Sequence, residues 1–139
     1  MQILSVLFYL YLAQIAGWEV FADTRFKWVF QEELGLEVEI PKFSKNVLAL
    51  EGKEISITGH YLPIDVEGNS IIISKLPYAS CFFCGGGVGQ ESVAEVSFAT
   101  VQRPFRMDEI ITVVGRLKLN RDDFEHLVFI LEDARVLQQ

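Results

Sequence analysis

Apolar and polar residues alternate along much of the chain, and the alternation predicts strands. Phe26, Trp28 and Phe30 alternate with polar neighbours except at Val29, and Leu34, Leu36, Val38 and Ile40 alternate more cleanly until Pro41, where the strand is expected to stop. The two runs predict a hairpin turning near Gln31 to Glu33. The competing pattern is a helix starting at Asp23, with Phe26, Val29, Phe30 and Leu34 on one face and Gly35 ending it. The Leu34–Ile40 alternation is the stronger signal and favours the hairpin. Ser44 is suited to capping a short turn of helix through Leu50.

Five further strands follow from Lys53 onward. Ile55, Ile57, Gly59 and Tyr61 share one face of the first; Ile71-Ile72-Ile73, after turn residues Asp65 to Asn69, reads as a buried second. The third is Val93–Phe98, the fourth Ile110–Leu119 and the fifth Leu127–Leu137. Ala99 to Asp108, interrupted by Pro104, is too short for the helix that usually separates the third and fourth strands of an OB barrel. Short strands, Gly and Asn/Asp turns and no long helical pattern predict an all-β domain. The expected architecture is a single small OB-like five-stranded barrel or sandwich with an extra N-terminal hairpin.

Ile3 to Ala16 is almost unbroken apolar sequence. Its length, about 14 residues, suits a secretory signal core better than a bilayer span, which needs roughly 20. Residues 1–22 are therefore expected to hold a signal segment cleaved after Ala13 or after Ala22, with residues 23–139 forming the barrel domain and no transmembrane span in the mature chain. No Lys or Arg precedes the run, and the alternative is a buried N-terminal strand or helix. Export to the periplasm or envelope is the expected location.

Composition narrows the partners. The 139 residues carry 19 acids against 12 bases, a net charge of −7, with half the residues apolar. The bases are scattered, so the concentrated basic face that nucleic acid requires is missing.

The distinctive chemistry is Cys81-Phe82-Phe83-Cys84-Gly85-Gly86-Gly87, which contains both cysteines of the chain. The spacing lets two thiolates face one thiophilic ion, Zn(II) or Cu(I), and glycine after the second Cys permits a backbone that turns amides toward sulfur. A full site needs further ligands. His126 and His60, the only histidines, are the candidates, with Asp65, Glu91, Glu125 and Asp108 as carboxylates or a second chain of a homodimer supplying another Cys pair. The same Cys81 and Cys84 suit thiol–disulfide exchange, although three glycines replace the helix start of a thioredoxin-like site. They also suit a structural disulfide, which in the chain-entropy picture stabilises by only about 2 kcal/mol for so short a loop. Gly85, Gly86 and Gly87 shape the loop; without a Lys, and with Glu91 nearby, they do not make a phosphate loop. Phe82 and Phe83 either pack the loop onto the barrel or offer a contact for a partner such as an envelope protein. No Ser-His-Asp order or paired-carboxylate frame is present, so no catalytic residue is assigned.

Leu50-Glu51-Gly52-Lys53, Ile57 with Gly59 and Tyr61, Ser74-Lys75 with Pro77, and above all Ala79-Ser80-Cys81-Phe82-Phe83-Cys84-Gly85-Gly86 followed by Glu91-Ser92-Val93 form a recognisable set. In these residues the chain, from about Phe26 to its C-terminus, resembles a family of small exported bacterial proteins of unknown function. Val88-Gly89-Gln90 departs from the family's shorter loop, which has Pro before the Glu-Ser pair. The resemblance implies export and a β-rich fold, and supplies no catalytic residue or ligand. The leading expectation is an exported envelope binding protein holding a thiophilic ion through its Cys pair. A thiol–disulfide redox protein and a non-catalytic interaction module with a structural Cys pair are the alternatives.

Overall fold

Each alternating segment becomes a strand in the computed structural model, which describes residues 17–81 and 88–137. A one-turn helix α1 (Trp18–Phe21) leads into the hairpin β1 (Thr24–Gln31) and β2 (Leu36–Phe43), and a second one-turn helix α2 (Lys45–Leu48) follows. The barrel strands are β3 (Glu54–Leu62), β4 (Ser70–Ser74), β5 (Val93–Phe98), β6 (Ile110–Leu119) and β7 (Phe129–Val136).

The five strands close in the order β3-β4-β5-β7-β6, with β6 returning to β3. Every pairing is antiparallel except β5 with β7. Counting barrel strands one to five, this is the order 1-2-3-5-4-1, the Greek-key closure of an OB barrel. Ala99 to Asp108 carries no helix. The fold is therefore the expected all-β small barrel with a separate hairpin.

One main core fills the barrel. Ile55, Ile57, Ile73, Ala94, Val96, Val113, Leu117, Phe129 and Leu131 point into it, and α1 and α2 add Phe21 and Val47, both fully buried. Phe21 stacks on Phe129 with ring centroids 4.0 Å apart, and Trp18 donates its indole N–H to the Thr58 carbonyl at 2.8 Å. Packing of the barrel thus includes Trp18 and Phe21, upstream of residue 23, where a cut after Ala22 would start the domain. The apolar run before it, residues 1–16, lies outside the described residues. Gly59 on β3 makes room for this arrangement: a Cβ there would come within 2.8 Å of the Ser74 carbonyl oxygen and 3.0 Å of the Trp18 ring.

The hairpin pairs from Thr24–Phe43 to Gln31–Leu36, with residues 32–35 in the turn and Gly35 at φ +67°, a left-handed conformation that favours glycine. One expectation is corrected. Pro41 does not stop β2, which runs on to Phe43 with Pro41 opposite Phe26. A two-stranded sheet has free edges, so the missing proline amide costs no ladder bond when it faces outward. Ser44 caps α2 by accepting the Val47 amide at 3.3 Å. No helix among the described residues is long and apolar enough to cross a membrane.

Candidate functional site

Two features outside the barrel core carry the chemistry, and both lie over the second and third barrel strands. On β4 the triplet divides between faces: Ile71 and Ile73 belong to the inner core, while Ile72 points outward. On β5, Ala94 and Val96 face inward and Val93 outward. The outer side is covered as well. Leu62, Ile72, Cys81 and Val93 form a second buried cluster, with Ile64, Val66 and Leu127 packed against it. Burial on both faces is why this strand reads as an unbroken apolar triplet.

Cys81 sits at the centre of that cluster with 0% exposure, and its sulfur is not a free thiol. A turn of 3₁₀ helix, Tyr78–Ser80, delivers it, and the Cys81 amide donates to the Tyr78 carbonyl. The turn is itself tethered, because the Tyr78 amide donates to the Asp108 carboxylate at 2.7 Å. Phe82, Phe83, Cys84, Gly85, Gly86 and Gly87 lie outside the described residues.

The β6–β7 loop, residues 120–128, closes the other side of the same face. Asn120 organises it: the side-chain amide donates to the carbonyls of Asp123, His126 and Leu127, and its oxygen accepts from the Asp123 amide at 3.0 Å. The loop is fastened to β5 by Glu95, whose side chain is 5% exposed. One Glu95 oxygen lies 2.8 Å from His126 Nδ1, and the other accepts the Leu127 amide at 3.1 Å. The hydrogen bond to Glu95 raises the His126 pKa above its ordinary value, and the Glu95 charge adds to this.

Between this loop and the hairpin runs a groove of about 360 Å³, walled by Trp28, Pro41 and Phe124. Its polar lining includes three acids, Glu39, Asp122 and Asp123, beside Arg121 and His126. The Arg121 guanidinium is drawn to Glu51 at 3.2 Å and over the Phe43 ring. A hydrogen bond of 2.8 Å from Gln90 to Glu39 ties β2 to the segment entering β5.

His60 and His126 sit in different surroundings. His60 on β3 is half-buried, with Nδ1 3.3 Å from the Asp108 carbonyl oxygen, whereas His126 serves Glu95. Among the described residues no group of three or more His, Cys, Asp or Glu side chains is arranged to hold a metal ion. Glu91 lies beside Gly89 at the start of the segment leading to β5, and Asp65 and Glu125 are exposed.

Sequence reasoning missed Glu95 and Asn120. Period two assigns Glu95 to solvent, because it shares a face with Val93 and Ser97. The one signal to the contrary was the neighbouring apolar triplet, which demands a cover on the outer face.

The fold has a solved counterpart. The barrel is similar to the crystal structure of a DUF3299 family protein from Pseudomonas aeruginosa PAO1, with a TM-score of 0.51 and 13% identity over 71% of this chain and 68% of that one. At that identity the likeness shows the fold alone. No family model matches the chain, and no curated protein does.

Proposed function

We propose that this protein is an exported, non-catalytic binding module whose Cys81–Cys84 pair is a structural disulfide and whose ligand lies in the groove between hairpin and β6–β7 loop. The supporting observation is the burial of Cys81 among Leu62, Ile72 and Val93, where its sulfur is not a free thiol. OB barrels commonly bind their ligands on the outer face of the second and third strands, between the first and fourth interstrand loops. Here that face is filled by the chain's own side chains, with Cys81 fully buried among them. A sulfur so placed is shielded from an attacking thiolate and suits neither exchange nor an ion in transit. The concavity that adjoins this face is the groove, whose aromatic walls and acidic side chains fit an extended, positively charged segment of an envelope protein.

Thiol labelling and metal analysis test the role of the sulfurs. The native protein is expected to take up no alkylating agent until it is both denatured and reduced, and then to take up two equivalents. Metal content of protein purified without chelator is expected to be well below one equivalent and the same in Cys81→Ser. Stoichiometric Zn or Cu lost in that variant would instead establish the ion-holding reading. A reduction potential well above about −300 mV, with native-state reactivity, would establish thiol exchange. For the groove, calorimetry with a lysine-rich peptide should give binding that Phe124→Ala weakens, and an unaffected titration would remove the groove from the reading.

A further inference from the structure

The hairpin carries a second surface, the outer edge of β1, next to the groove that Trp28 also walls. Trp28 is 62% and Phe30 58% exposed, and both share one face of β1 with Phe26. A two-stranded ribbon is marginal in water by itself, and three or more strands make it stable. The two edges of this ribbon differ. Pro41, opposite Phe26, has no amide hydrogen, so pairs of that parity are the ones that do not exchange hydrogen bonds within the hairpin. It follows that β2 presents an outer edge broken at Pro41, while on β1 the backbone groups of Phe26, Trp28 and Phe30 point outward without interruption. Neighbours differ too, since Gln90 bonds Glu39 of β2.

Charge along β1 is polarised. Arg25 and Lys27 stand at its start and Glu32 and Glu33 just past its end, all four exposed. A strand that is basic at one end and acidic at the other is complementary to a second copy of itself running antiparallel. We propose that the β1 edge pairs with β1 of a second copy about a two-fold axis, making a four-stranded sheet in the order β2-β1-β1-β2. Centring the pairing on Val29 keeps the outward backbone groups in register. It sets Trp28 opposite the partner's Phe30 and Arg25 beside the partner's Glu33, and the two-fold repeats each contact. Trp28 and Phe30 of the two copies then form a ladder of four rings on one face. A single strand pair is a small interface, so the dimer belongs to the weak, reversible class.

Sedimentation equilibrium over micromolar to millimolar protein tests the pairing. A reversible monomer–dimer equilibrium is expected in the wild type. Arg25→Glu and Glu33→Arg should each weaken it by about tenfold, because the symmetry counts every like-charge clash twice. The double variant should regain most of the loss, since the swapped charges again attract. Phe30→Ser should abolish the dimer while near-UV circular dichroism shows the barrel intact. Neither Arg25, Phe30 nor Glu33 lines the groove, so these variants leave the proposed ligand site untouched. A protein monomeric at every concentration overturns the proposal, including one whose stripe instead binds lipid vesicles or a cationic peptide. A dimer indifferent to all three positions overturns it as well.

Discussion

Glu95 is the residue on which the outer face turns. It is a buried acid that bonds His126 through one oxygen and the Leu127 amide through the other, and it holds the loop over β5. The raised pKa of His126 makes this clasp sensitive to pH. A group whose folded pKa lies above its unfolded value, about 6.5 for histidine, contributes fully below that value, and the contribution is lost as pH rises through the folded one. Thermal midpoints of the wild type and His126→Gln, which carries no charge, should therefore differ more at pH 5.5 than at pH 8.5. A constant difference would mean that the charged form adds nothing. Gly59 sets a second test at this scale. Gly59→Ala puts a methyl against the Ser74 carbonyl and the Trp18 ring, and overpacking of that kind costs about 1–3 kcal/mol in denaturant unfolding. Little at this scale was legible in the sequence. Period two puts Glu95 on the outer face of β5, and the loop that buries it is a long-range cover that local alternation does not encode.

The strands were legible. Alternation in Ile55–Tyr61, Val93–Phe98 and Ile110–Leu119 is enforced by a core on one side, and the structure places strands there. Where prediction slipped, a local rule met a permissive context. Pro41 stops a central strand but is harmless in a two-stranded ribbon. Of the two sequence positions considered for cleavage, the one after Ala22 meets a packing constraint at this scale, because α1 contributes Phe21 to the core. Phe21→Ala should cost about 3–5 kcal/mol in denaturant unfolding, the range for a fully buried aromatic. A chain starting at residue 23 should lose at least as much, and one starting at residue 14 almost nothing. Equal stability of the two truncated chains would show that the stacking of Phe21 on Phe129 is dispensable.

At the scale of the whole molecule, five strands and their turns pointed to a barrel or a sandwich, of which the structure forms the closed barrel, and the hairpin followed from its own period. The position of Cys81 did not follow. A Cys-x-x-Cys loop before a glycine run reads equally as an ion site, an exchange site or a staple, and what separates them is the surroundings of the sulfur, which come from β3, β4, β5 and the β6–β7 loop. Under the proposed structural pairing with Cys84, reduction should lower unfolding stability by about 2 kcal/mol, the entropy of a short closed loop, and leave the barrel folded. Collapse of the barrel on reduction would mean that the bridge holds far more than its own loop.

The order of the barrel strands also bears on how the chain reaches its native state. β7, the last strand, is inserted between β5 and β6 rather than added at a margin. Until residues 129–136 are available, β5 lacks its parallel neighbour and β6 its antiparallel one. The nascent chain must then remain an open sheet with two unsatisfied rims, a state prone to pairing with other chains. Addition of residues 129–136 is therefore the step that closes the barrel.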